Sequence, residues 1–196
     1  RDITNIWAWI KRTNKKNFNA GRISFTTNLK SAIKKSDIIF ICVGTPNKKN
    51  SQNVNLSYVY KALKDIIKVS KGKKIVVTKS TVPVGTGDEL EKILKKNKRK
   101  NIDIISNPEF LREGEAIRDF RFPDRIIVGS NNKKIFTIIK KMYNPLISKG
   151  AKFFTTSRRA AELIKYASNA FLATKITFIN ELSNLCEKSN TNIEDI

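Results

Sequence analysis

Two short runs of apolar, mostly β-branched residues, Asp37–Gly44 (DIIFICVG) and Lys74–Lys79 (KIVVTK), constrain this chain more than any other feature. Runs of this length without polar alternation mark strands buried on both faces of a parallel sheet. Each is followed by a loop and a helical pattern. After the first come a loop over Thr45–Asn55 and a helix over Leu56–Ser70, with Val59, Leu63, Ile66 and Ile67 on one face. After the second come a turn with Pro83 and Gly85 and a helix over Asp88–Lys96. Ile102–Ser106, Arg125–Ser130 and Lys152–Thr155 read as further strands, with a helix over Lys133–Tyr143. Strands alternating with helices predict βαβ crossovers and a parallel, two-sided α/β sheet.

The two ends of the chain differ from this middle. Arg1–Asn19 reads as a helix with a turn near Gly21, Ile23–Thr27 as a short strand, and Asn28–Ser36 as a helical turn or two. From Ser157, an N-cap residue, neither Gly nor Pro interrupts Arg158–Ser189. A continuous helix there is roughly 50 Å long at ~1.5 Å per residue. It is apolar on more than one side, which suits a helix that joins two domains or packs in an oligomer.

Composition excludes several classes. No run approaches ~20 apolar residues, so no membrane span is expected. Two cysteines make no disulfide framework and fit a reducing, cytoplasmic compartment. With no His, Ser–His–Asp catalysis and His-ligated metal sites are excluded. The net charge of +22 would suit a nucleic-acid partner. Lys (29), Ile (27) and Asn (20), the residues of A/T-rich codons, dominate the composition, however, and the one dense run, Lys92–Lys100, has no interleaved aromatic residue. That run reads as a solvated helix end, and no nucleic-acid partner is expected.

In open parallel sheets ligands bind at the carboxyl ends of strands. Those ends carry Val43-Gly44-Thr45-Pro46-Asn47, Ser80-Thr81-Val82-Pro83 and Asn107-Pro108-Glu109. Turn formation alone explains any one of them. Glu109 and Glu113 fall on one face if NPEFLREGEA turns helically, as a general-base pair or as acids decorating a helix start. Lys165 and Asn169, also four apart, read as an oxyanion-stabilising pair or as a snorkelling lysine and its neighbour. Gly85-Thr86-Gly87 fails the G-x-G-x-x-G fingerprint at Leu90. Cys42 and Cys186, inside apolar patterns, read as packing residues rather than nucleophiles.

Taken together, VGTP (Val43–Pro46), KSTVPVGT (Lys79–Thr86), SNPEFLREGEAIRDF (Ser106–Phe120), PDRIIVG (Pro123–Gly129) and ELIKYASNAFLATKITFINE (Glu162–Glu181) resemble the UDP-glucose 6-dehydrogenase family in order and spacing. The resemblance implies an incomplete Rossmann-like NAD-binding domain over residues 1–156. It implies a connecting helix with the start of a central domain over 157–196. It further implies two successive hydride transfers from C6 of UDP-glucose to NAD, giving UDP-glucuronate, and a homodimer formed through the long helix. Val43 to Asn47, Ser80 and Thr81 match residues lining the NAD site, and Thr81 also matches one that holds a catalytic water. Glu109 matches the general base or water activator. Phe110, Leu111 and Arg112 match the stretch lying against the nucleotide sugar, and Glu113 matches a residue near the nicotinamide. Lys165 and Asn169 match the pair that stabilises oxyanions and binds the sugar. The family's Gly-rich loop and nucleophilic Cys stretch match nothing in these 196 residues, so the chain is expected to be an internal segment that does not complete the oxidation alone. A truncated, non-catalytic remnant and, less favoured, a basic nucleic-acid-binding module are the alternatives.

Overall fold

A computed structural model describes residues 15–48, 51, 53–112 and 114–196, in two compact units, Arg1–Lys35 and Ser36–Ile196. Residues 1–14 of the helix expected over Arg1–Asn19, and the candidate Glu113, lie outside the described residues.

In the first unit, α1 (Lys15–Asn19) and α2 (Leu29–Lys35) flank a turn in which Gly21 takes a φ of 68°. The turn folds the chain back so that the Phe18 and Phe25 rings stack 6.3 Å apart. The strand expected over Ile23–Thr27 does not form: no residue of the stretch takes part in a strand.

The second unit is built on five strands in the order β1 (Ile38–Ile41), β2 (Lys74–Thr78), β3 (Ile102–Ser106), β4 (Arg125–Gly129) and β5 (Lys152–Thr156). Five helices accompany them: α3 (Ser57–Val69), α4 (Thr86–Lys96), α5 (Ala116–Arg121), α6 (Lys134–Ile147) and α7 (Arg158–Ser189). The α/β sheet with flanking helices and a long last helix is thus the architecture the sequence predicts. One junction differs from the parallel expectation, because β4 meets β3 antiparallel through Ser106 and Gly129. The connection from Asn107 to Asp124 lines the cleft at the carboxyl end of β3, so the chain re-enters the sheet from that same end.

Strand alternation divides the core in two. Ile75, Val77, Ile105, Ile126 and Val128 point to one face and pack with Ile135 and Ile139 of α6. Val76, Ile104 and Ser106 point to the other, where α4 and the first turns of α7 lie. Gly129 makes that second approach possible. A Cβ there would stand 2.6 Å from the Ser157 carbonyl, 2.7 Å from Ala161 Cβ and 2.8 Å from Arg158 Cα. Only a bare backbone lets α7 cross β4 so closely.

Two further expectations are corrected. The first apolar run is not buried on both faces: of Ile38–Ile41 only Ile41 is buried, because β1 is the edge of the described sheet and Phe40 opens onto a cleft. The stretch Asn107–Arg112 is not helical. Pro108 disfavours the α region at Asn107, and Gly114 takes a φ of 84°, so helix begins only at Ala116.

Helix α7 begins on Ser157, whose hydroxyl accepts the Ala160 N–H at 3.2 Å, and ends on Asn190 in the left-handed region. Its first turns are buried through Arg158, Ala161, Glu162 and Lys165. Beyond them Phe171, Leu172, Ile176, Phe178 and Ile179 are each at least half exposed. No helix among the described residues is long and apolar enough to cross a membrane.

Candidate functional site

The carboxyl ends of β1, β2 and β3 open on two adjoining clefts. One, of about 830 Å³, is lined by Phe40, Cys42, Val43, Gly44, Ser80 and Thr81, among others. The other, of about 500 Å³, lies toward β4 and is lined by Asn107, Phe110, Arg112, Arg118, Asp119 and Arg125, among others. Lys79, Glu109, Leu111, Phe120, Tyr143 and Leu146 border both, so Lys79 and Glu109 stand where the two meet.

Hydrogen bonds between the strand-end loops hold the first cleft in shape. The Ser80 hydroxyl donates to the Val43 carbonyl at 2.7 Å, and the Thr45 hydroxyl donates to the Thr81 carbonyl at 2.9 Å. A Cβ on Gly44 would meet nothing within 4 Å, so its missing side chain leaves cleft space free for a flat ligand face. Pro46 and Asn47 stay at the surface, where the Pro46 carbonyl accepts the Asn55 N–H at 2.7 Å. They shape the loop and do not line the cleft.

Glu109 finds its partner on another element. Lys165, buried on α7, places Nζ 3.7 Å from Glu109 Oε1 and 5.5 Å from the centre of the Phe110 ring. The Arg125 guanidinium lies 4.5 Å from that ring centre, so two cations fix it. Glu109 Oε2 is buried with no hydrogen-bond partner among the described residues. An acceptor so placed is open to a donor from a ligand or a water. Thr81 and Lys165 also line a small cavity of about 10 Å³ with Thr78, Ser80, Ser106 and Glu162. Asn169 lies one turn further along α7 and is exposed.

Lys79 and Asp119 carry no signal that the spacing of the candidate residues picks out, and Asn107 and Arg112 are held by partners from other segments. Lys79 sits with Nζ 3.5 Å from Asn107 Oδ1 and 3.4 Å from the Pro108 carbonyl. Burial pulls its ammonium below the ordinary lysine range, against the opposing pull of Glu109. A lysine directly after a fully buried strand was the available signal. Asn107 is held from two sides: its amide donates to the Ile127 carbonyl at 2.8 Å, and Tyr143 donates to its Oδ1 at 2.5 Å. Arg112 is clamped to Asp119, its backbone N–H and guanidinium donating at 2.8, 3.0 and 2.7 Å. Those bonds hold the Asp119 carboxyl down at about 2.

Cys42 corrects an expectation. It lies just past β1, is exposed and lines the first cleft, so it is not a core-packing residue. Partial burial of its thiol pushes the pKa up, with Lys79 pulling the other way, and a protonated thiol is a poor nucleophile. Cys186 is buried, as expected of a packing residue.

Residues 9–147 match the NAD binding domain of the UDP-glucose/GDP-mannose dehydrogenase family, and residues 159–196 match that family's central domain. A UDP-glucose 6-dehydrogenase of Rhizobium meliloti is 49% identical over 183 residues, covering 92% of this chain and 42% of the relative. The chain spans about 40% of the length of the curated relatives it matches. Among solved structures, a UDP-glucose dehydrogenase from Pyrobaculum islandicum superposes with a TM-score of 0.84 at 33% identity, over 94% of this chain and 43% of its own. A ternary complex of a GDP-mannose dehydrogenase from Pseudomonas aeruginosa gives 0.83 at 32% identity, over 92% and 42%.

Proposed function

Because the chain belongs to the UDP-glucose/GDP-mannose dehydrogenase family, we propose that it carries the cofactor side and part of the sugar side of an NAD-dependent oxidation of UDP-glucose to UDP-glucuronate. The observation that carries this reading is Glu109, which stands at the boundary of two clefts with the Lys165 ammonium 3.7 Å behind it.

The wider cleft suits NAD: it has open space beside Gly44 and bridged loops at Val43, Thr45, Ser80 and Thr81. When bound, NAD supplies the hydride acceptor. The narrower cleft, with Arg112, Arg118 and Arg125 in its lining, suits the diphosphate of a nucleotide sugar. Phe110 to Arg112 lie along it, and Arg112 is oriented by Asp119. Glu109 Oε2, the unpartnered carboxylate oxygen, takes the proton of the C6 hydroxyl or holds the water that does. Lys165 faces the oxygen as negative charge develops on it, in a site shielded from solvent. Thr81 stands beside Lys165 to hold a water, and Asn169 and Glu113 keep the sugar and nicotinamide roles that the resemblance to the family gives them.

The same reading assigns residues 1–156 to the NAD-binding domain, and 157–196 to the connecting helix and the start of the central domain. A second copy covers the exposed apolar run from Phe171 to Ile179 on α7, and the protein works in the cytoplasm. Calorimetric titration of the chain with NAD and with UDP-glucose tests the assignment. Binding of both, with UDP-glucose lost on substitution of Glu109, is the expected result. Binding of neither overturns it.

A further inference from the structure

Glu162 is a buried carboxylate that the reaction itself does not call for. It is 3% exposed, and both its oxygens are engaged by groups from two other elements. Oε2 accepts the Gly85 N–H at 2.7 Å. Oε1 accepts the Gly87 N–H at 2.8 Å and the Ser106 hydroxyl at 3.2 Å. One acceptor side chain therefore ties α7 to the turn that opens α4 and to the last residue of β3. Gly85, with a φ of 94°, aims its N–H at the carboxylate from the left-handed region.

These attachments all bear on the candidate site. Glu162 stands three residues before Lys165, so the two share a face of α7. Both line the same cavity of about 10 Å³, room for a single water, together with Ser80 and Thr81. The turn that Glu162 grips continues from Thr81, and the strand end it grips continues into Glu109. One turn earlier, buried Arg158 donates to Asp88 at 2.8 Å and also to Glu91, pinning the same helix start from the other side.

We propose that Glu162 is a positioning residue for the site: by tying α7 to the Gly85–Gly87 turn and to the end of β3, it fixes the Lys165 ammonium beside Glu109. The proposal rests on the role given above to Lys165 and Glu109. A carboxylate is required because two N–H donors converge on its two oxygens. Glutamine offers one acceptor and one NH₂, and the NH₂ opposes one of the glycine N–H groups.

Competitive labelling of lysines with acetic anhydride at one alkaline pH, read residue by residue by mass spectrometry, tests this on the chain without ligand. In Glu162→Gln, Lys165 labels about fivefold faster than in wild type, as expected when a held side chain is released, while exposed Lys92 is unchanged. Gly87→Ala keeps the charge but sets a Cβ 3.0 Å from Oε1, and it gives the same result if Glu162→Gln fails to fold. Leu94→Ala, buried at the far end of α4, lowers the melting temperature and leaves Lys165 at its wild-type rate. An unchanged Lys165 in both Glu162→Gln and Gly87→Ala, or an equal rise in Leu94→Ala, overturns the proposal. A parallel arm scores the functional reading instead: UDP-glucose added to wild type slows labelling of Lys165 if that reading holds and does not if it fails. Neither result alters the comparison between variants.

Discussion

Lys165 on α7 lies 3.7 Å from Glu109 on the loop after β3; Glu109 borders both large clefts, and Lys165 lines the water-sized cavity beside them. The pair is partly shielded, with side-chain exposures of 9% for Lys165 and 30% for Glu109, so the attraction is weakened little by solvent on the lysine side. An ammonium held this way is ready to receive a ligand oxygen without rearrangement. Lys165→Met removes that donor. A hydrogen bond to a charged group contributes about 1.5–3 kcal/mol, so UDP-glucose binding, measured by calorimetry, weakens about 10- to 100-fold. Unchanged affinity would remove Lys165 from the sugar side of the site.

Two glycines separate packing from ligand space. Gly129→Ala forces a Cβ onto the Ser157 carbonyl and the α7 backbone, atoms that cannot swing away. It destabilises the fold by about 1–3 kcal/mol or prevents folding, as a melting curve or a soluble-yield comparison will show. Gly44→Ala adds a Cβ that meets nothing within 4 Å, so stability stays within about 0.5 kcal/mol of wild type. NAD affinity falls all the same, because the methyl group occupies cleft space. Equal melting losses for the two variants would contradict this division.

The Arg112–Asp119 clamp sets an acid limit on the ordered state of its loop. Asp119 titrates at about 2 in the fold, held down by the Arg112 hydrogen bonds, against about 3.9 in an unfolded chain. The contribution of a depressed carboxylate is complete above the unfolded value and is lost as pH falls through the folded one. The clamp is therefore intact above about pH 4 and opens on the way down to about pH 2. The Asp119 carboxyl carbon shift, followed by NMR, reports the midpoint, and Arg112→Gln raises it. A wild-type midpoint at the ordinary aspartate value would show that the clamp is absent in solution.

Lys79 has a pH dependence of the same sign, but at the alkaline end. Burial lowers its folded value, while the unfolded amine stays protonated to about pH 10.4. Between these values the unfolded chain holds more protons, so stability rises with pH across that interval. Lys79→Met removes the contribution. The melting temperature of wild type relative to the variant therefore climbs as pH approaches 10.4 from below, and a flat difference would disprove the burial argument.

The apolar runs and their intervening helical patterns were legible because burial on a sheet leaves its mark in consecutive residues. Ile102–Ser106 and Arg158–Ser189 have in the structure the bounds their sequence suggests. The antiparallel entry of β4 was not legible, since the length and turn of the preceding connection decide direction and the strand's own composition does not. The site was half legible. Glu109 and Lys165 stand out one by one, but spacing pairs Glu109 with Glu113 and Lys165 with Asn169, whereas the contact that forms is Glu109 with Lys165. Glu162 was missed for a similar reason. A glutamate near the start of a helix looks solvated until Gly85 and Gly87 at the start of α4 and Ser106 at the end of β3 are brought to it.

Helix α7 is gripped over its first two turns and bare over most of the rest. Mechanically it is a lever with its fulcrum at Gly129 and Glu162, and Lys165 sits just beyond the fulcrum, at the root of the long arm. The long arm, from Lys165 to Ser189, extends about 36 Å at 1.5 Å per residue. A lateral push of a few ångströms on the tip turns the shaft by only a few degrees. At Lys165, close to the fulcrum, that rotation shifts the ammonium by a fraction of an ångström. A contact on the apolar end thus reaches the Lys165–Glu109 pair only as a small displacement.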